Sequence, residues 1–88
     1  MQRIIFDLKE QRHVKLKIRS SDSVPFKISY AKYRLLYNNA VESDGLCTIE
    51  DHIIDMFLAP QKAFNYTLEV EYGIADEIYV EKIELEVR

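Results

Sequence analysis

One cysteine, two glycines, two prolines and no tryptophan stand among the 88 residues of this chain. With Cys47 alone, no intrachain disulfide can form, so the core must hold by packing; a reducing compartment, or a route that forms no disulfides, is expected. Two glycines cannot supply a phosphate-cradling loop, which removes the common nucleotide-binding motifs. Long hydrophobic runs are missing as well. The N-terminal MQRIIFDLKEQRH lacks the continuous apolar segment of a signal peptide, and no stretch approaches a membrane span. The expectation is a soluble protein, made in the cytoplasm, with no membrane partner.

What is present is a globular composition: 48% hydrophobic residues, with six Tyr and four Phe. That suffices for a single domain, residues 1–88, with a modest core. The net charge of −3 is unevenly spread. Residues 1–35 carry nine Lys or Arg against three acids, whereas residues 36–88 carry three against twelve. Three explanations follow. The two halves neutralise each other across neighbouring strands, the basic half binds nucleic acid, or one copy's basic surface meets the acidic surface of the next in a head-to-tail ring.

Alternation of period two dominates the chain. Ile4, Phe6 and Leu8 alternate first, and residues 9–12 form a polar connection. Val14, Leu16 and Ile18 then alternate with Lys15, Lys17 and Arg19, a strand with one cationic face. SSDS at 20–23 reads as a turn, and Pro25 favours an extended backbone before it. Val24, Phe26 and Ile28 keep one phase, while Ala31, Tyr33 and Leu35 keep the other, so a bulge or a strand change is expected near Tyr30. A helix over 28–38 competes, but the aromatic and β-branched neighbours favour strand. Asn38-Asn39 and Asp44-Gly45 are turn dipeptides, with AVES between them a short strand or hairpin arm. A further strand starts at Leu46. EDHIIDMFL at 50–58 suits either a short helix opened by Thr48 and Asp51 or a strand through Ile54, Met56 and Leu58. Finally, FNYTLEVEYGIADEIYVEKIELEV reads as a hairpin that turns inward Tyr66, Leu68, Val70, Tyr72, Ile83, Leu85 and Val87.

About seven strands with a clean dry face predict an all-β, antiparallel β-sandwich. PQKAFNYTLEV sharpens this. In immunoglobulin-like sandwiches the penultimate strand often begins with a Tyr whose hydroxyl bonds back to the preceding corner, and Tyr66 holds that place. Leu68 stands where antibody domains carry a disulfide Cys, so the expectation is an immunoglobulin-like sandwich with an aliphatic core. From residue 24 to 87 the order VPFKISYAKYRLL, VESDGLCTIED, a Pro turn and YTLEVEYGIADEIYVEKIELEV resembles small structural proteins of tailed bacteriophages and prophages. The resemblance implies an immunoglobulin-like β-sandwich of the virion, at the tail, baseplate or head–tail joint. Two departures bear on the corner and the first hairpin: Ala63-Phe64-Asn65 stands where a Gly-containing approach to the tyrosine is expected, and Asn38-Asn39 replaces an Asp/Gly turn.

Reactive chemistry is thin. His52 with Glu50, Asp51 and Asp55 has the residue types of a metal site, but on a strand His52 and Asp55 point to opposite faces, and His13 is distant in sequence. Cys47 lacks an activating base or positive surroundings and reads as a small hydrophobe. Asp76-Glu77 pairs carboxylates on a turn, where they diverge instead of spanning a cleft. Tyr30, Tyr33 and Tyr37 lie near Lys32 and Arg34, as a nucleic-acid surface requires, yet a pI of about 5.3 opposes phosphate affinity.

The expectation is therefore a non-enzymatic virion or assembly protein without cofactor or metal. It would act by contact with other virion proteins or with copies of itself. The contact residues expected are Lys15, Lys17 and Arg19 on the cationic strand, and Asp76, Glu77 and Tyr79 on the acidic hairpin. The alternative is a bacterial immunoglobulin-like accessory or regulatory domain that binds a host protein or nucleic acid.

Overall fold

The alternation resolves into eight strands, and no helix, among residues 3–19 and 25–88, which the computed structural model describes. They are β1 (Arg3–Phe6), β2 (Arg12–Lys17), β3 (Ile28–Tyr37), β4 (Ala40–Leu46), β5 (Thr48–Glu50), β6 (Ile53–Leu58), β7 (Phe64–Ile74) and β8 (Glu77–Val87). Five strands form one sheet in the order β1-β8-β7-β3-β4, and three form the other in the order β2-β6-β5. The chain changes sheet after β1, β2, β4 and β6, so each sheet mixes early and late segments.

This is an immunoglobulin-like sandwich. Strands β3, β7 and β8 form the central three of one sheet, and β4 extends it as in variable-type domains, while β2, β6 and β5 face them. The eight strands among the described residues agree with the expected number of about seven. One feature differs from the expectation: the sheets are not wholly antiparallel, because β1 runs parallel to β8, pairing Arg3 with Glu84 and Phe6 with Val87. The cause is topological: β1 and β2 lie in different sheets, so β1 has no hairpin partner and settles on the free edge of the last strand.

The core lies between the two inner faces. Phe6, Leu35, Leu68, Val70 and Leu85 of the larger sheet and Ile54 of the smaller are fully buried, with Val14, Met56 and Leu58 nearly so. Each such side chain contributes roughly 1.5–3 kcal/mol by leaving water. Leu68, at the position of an antibody cysteine, is among the most deeply buried residues, so aliphatic packing does the work that a disulfide does elsewhere.

Local departures from a regular ladder have readable causes. The phase change near Tyr30 is a bulge: Ile28 pairs with Ile74 and Tyr30 with Gly73, leaving Ser29 extra. Strand β3 continues through it, and the competing helix does not form. Residues 53–58 are likewise strand, preceded by a turn at Asp51 and His52. Asn38 and Asn39 both adopt positive φ (51° and 64°) and join β3 to β4, which is the tight hairpin turn that twisted strands favour. Asp44-Gly45, expected as a turn, lies inside β4. Gly45 faces Tyr33, whose ring would meet an added Cβ at 3.3 Å and so covers the bare backbone. Leu8 is exposed, because Lys9 (φ 73°) turns the chain away at the end of β1. The SSDS turn expected at 20–23, and Val24 in the phase argument, lie outside the described residues.

Candidate functional site

The corner at Tyr66 fixes how β4, β7 and the chain between β6 and β7 meet. Its ring is buried, and its hydroxyl accepts the Lys62 backbone N–H at 2.9 Å. The same hydroxyl donates to Glu42 Oε1 at 2.7 Å. Glu42 reaches there because it is the extra residue of a second bulge: Leu35 pairs with Ser43 and Leu36 with Val41. Its other oxygen accepts the Gln61 N–H at 3.2 Å, and Lys62 Nζ lies 3.5 Å from Oε1. Burial, then the bond to Glu42, push the Tyr66 hydroxyl up to about 12. Tyr37 packs on the Tyr66 ring at 4.9 Å and donates its hydroxyl to the Ala63 carbonyl. Phe64 stands at φ 84°, so the departure noted in the sequence falls on a left-handed backbone that glycine adopts more readily.

The outer face of the five-stranded sheet explains much of the charge imbalance. Register places Lys82, Glu69, Arg34 and Asp44 side by side across β8, β7, β3 and β4, a row of alternating sign. Arg34 Nε donates to Glu69 at 3.1 Å, and Lys82 approaches the same carboxylate at 3.8 Å. One row along, Lys32 meets Glu71 at 3.5 Å, and Glu71 also accepts the Tyr30 hydroxyl at 2.9 Å. At the far edge Arg3 reaches Glu84 at 3.2 Å and Glu86 at 3.5 Å. Early cations thus neutralise late acids across neighbouring strands, the first of the three explanations.

The second row has apolar ends. Val80, Glu71, Lys32 and Leu46 are neighbours in register, and Leu46 (83% exposed) and Val80 (54% exposed) flank an open depression of about 670 Å³. Ile78, on the same face of β8, is also exposed. Sequence reasoning did not single out these three side chains, although a signal was there. Ile78 and Val80 are even-numbered, whereas Ile83, Leu85 and Val87 are odd. Strand β8 pairs with β7 without a register break, so the two sets must face opposite ways.

The expected contact residues fall on two separate surfaces. Lys15 and Lys17 lie on the outer face of the three-stranded sheet, opposite Asp55 and Ile53, and Arg19 follows as an exposed residue beyond β2. Among the described residues none of the three forms an ion pair, unlike Arg3, Lys32 and Arg34. Asp76 and Glu77 lie at the β7–β8 turn, where Ala75 takes a positive φ of 54°. Tyr79 stacks on Tyr72 at 5.5 Å and donates to Glu77 at 2.7 Å. It therefore occupies the opposite face of the hairpin from Ile78 and Val80.

The remaining chemistry-bearing residues are otherwise engaged. His52 stacks on Phe26 (4.0 Å between centroids, 12° between planes), and its Nε2 lies 3.0 Å from the Phe26 carbonyl. The partner of Asp55 is His13, remote in sequence, at 2.8 Å; pairing of β2 with β6 brings them together. Cys47 sits at the crossing from β4 to β5, half-buried against the core, and burial followed by the charge of Asp55 raises its thiol to about 11. No protein-family model matches the chain, and no curated protein matches its sequence.

Proposed function

We propose that this chain is a non-enzymatic docking module that acts by protein–protein contact. The observation that carries the reading is the outer face of the five-stranded sheet. Leu46 and Val80 hold exposed apolar surface on either side of the charged pair Lys32–Glu71, in an open depression on the sheet. Exposed apolar side chains framed by charges suit a protein partner better than a small molecule, which favours enclosed clefts. The resemblance in sequence supplies the setting: a joint of a tailed-phage virion, at the tail, baseplate or head–tail connection, with other virion proteins as partners.

Two measurements test this. Mass spectrometry of purified particles and assembly intermediates of the parent phage or prophage should find the chain, and its absence from all of them removes the virion setting. Binding to co-purifying virion proteins should weaken at least about tenfold for Leu46→Glu, which places a charge at the apolar rim; unchanged binding removes this face as the docking surface.

A second reading has one observation in its favour. Lys15, Lys17 and Arg19 present cations with no ion-pair partner among the described residues, as an anionic ligand such as nucleic acid requires. The overall charge of −3 opposes it. A salt-dependent mobility shift with short oligonucleotides, lost in Lys15→Ala/Lys17→Ala, would place nucleic acid ahead of a protein partner.

A further inference from the structure

The outer face of the five-stranded sheet carries its own complement in reverse order. Across β8, β7, β3 and β4 one row reads Lys82, Glu69, Arg34, Asp44, and the next reads Val80, Glu71, Lys32, Leu46. Reversing the order of the strands puts an opposite charge in place of each charge in the first row. In the second row the reversal exchanges Glu71 with Lys32, and one apolar end with the other. A surface of this kind is complementary to itself, which is what a two-fold contact between identical chains requires.

We infer that this face packs on the same face of a second copy, about a two-fold axis that runs parallel to the strands between β7 and β3. This pairing rests on the reading of the face as a protein-docking surface and names its occupant; the virion setting does not enter it.

Charge selects the axis. Around it Lys82 lies over Asp44 of the second copy, Glu69 over Arg34, Glu71 over Lys32, and Val80 over Leu46. Centring the axis on β7 sets Lys82 over Arg34 and Glu69 over its own equivalent. Centring it on β3 sets Glu69 over Asp44. An axis across the strands, through these two rows, lays each strand on itself, so the cations of β3 meet cations. Each of these alternatives brings like charges together, and the axis between β7 and β3 brings none together in the two rows.

The side chains are placed for such a contact. Leu46 and Val80 are exposed at the rims of the open depression, and Lys32, Arg34 and Lys82 are each more than half exposed. Arg34 and Lys82 both lean on Glu69, whereas Asp44 has no ion pair among the described residues. Lys82 of the second copy supplies one. Facing sheets pack about 10 Å apart, a gap that pairs of long side chains span. Ion pairs buried in a contact roughly break even against their lost hydration, so the charges fix the register while the apolar rims supply attraction.

The test uses the full chain. Sedimentation equilibrium across a concentration series should show a monomer–dimer equilibrium. Lys82→Glu and Asp44→Lys each set like charges together twice in the contact, and each should weaken the dimer about tenfold or more. Mixed in equal amounts, the two variants should associate about as tightly as the native chain, because each carries the charge that the other lacks. Within one chain β8 and β4 are three strand spacings apart, about 14 Å, so no intrachain contact produces that rescue. Both positions are exposed, and thermal unfolding checks that each variant stays folded. A chain that is monomeric throughout the series overturns the inference. So does a dimer that both variants leave intact, or one that their mixture does not restore. These results are distinct from a failure of the docking reading, which Leu46→Glu decides by its effect on binding to other virion proteins.

Discussion

The Tyr66 hydroxyl donates to Glu42 at 2.7 Å from inside the corner that ends the β6–β7 connection. A bulge on β4 delivers the carboxylate, and a strand on the opposite side of β3 delivers the tyrosine. The bond thus ties the edge strand to the corner through one buried ring. Tyr66→Phe keeps the ring but leaves both Glu42 and the Lys62 N–H short of a partner. The expected loss is about 2 kcal/mol, read as a lower urea midpoint at unchanged slope. Glu42→Gln retains an acceptor and should cost less than Tyr66→Phe.

Burial of the Tyr66 hydroxyl, and after it the same bond, make stability fall in alkali. In the unfolded chain a tyrosine releases its proton near its ordinary value of 10, whereas folded Tyr66 holds it to about 12. Between those values the unfolded state binds fewer protons, so stability declines as pH rises. The contribution is fully present below the unfolded value and lost as pH passes through the folded one; it amounts to roughly 2–3 kcal/mol. Cys47, raised from 9 to about 11, acts in the same direction at slightly lower pH. Urea midpoints taken from about pH 8 upward should fall steeply beyond about pH 10, and less steeply in Tyr66→Phe.

Phe64 is the least suited residue for its backbone. It holds φ at 84° while its side chain is 74% exposed. A left-handed conformation costs a bulky L-residue about 1–2 kcal/mol, and glycine escapes that at some cost in unfolded-chain entropy. Phe64→Gly should therefore raise stability by roughly 0.5–1 kcal/mol. A decrease in the urea midpoint would mean that ring contacts outweigh the backbone strain.

Much of the sandwich was legible because burial imposes period two on every strand. Leu68, Ile83, Leu85 and Val87 could be assigned to the core from parity alone, and Tyr66 from its place after the Pro60 turn. The bulge at Ser29 was visible as a phase change. What escaped had long-range causes. Nothing near Arg3 indicates a parallel seat on β8, and nothing near His13 indicates Asp55, because both depend on which strands become neighbours. Asp44-Gly45 misled for a related reason: a turn dipeptide stays in a strand when Tyr33 opposite covers the glycine. At the candidate surface, the parity of Ile78 and Val80 was present in the sequence, whereas the neighbourhood of Leu46 and Val80 required the full register of four strands.

Tyr30 and Gly73 offer a test of how the bulge on β3 is held. An added Cβ at Gly73 would lie 2.4 Å from Tyr30 Cε1, and 3.0 Å from the Ser29 hydroxyl oxygen. The Tyr30 ring cannot simply swing away, because its hydroxyl donates to Glu71 at 2.9 Å. Gly73→Ala should therefore destabilise by about 1–3 kcal/mol, the usual range for forcing extra volume into a close contact. Tyr30→Ala alone loses the Glu71 bond and the cover over the glycine backbone. In the double variant the steric cause of the first loss is gone, so the two effects should fail to add by about 1 kcal/mol or more. Additive losses in a double-mutant cycle of urea midpoints would place the cost of Gly73→Ala in the strand backbone and remove the ring from the account.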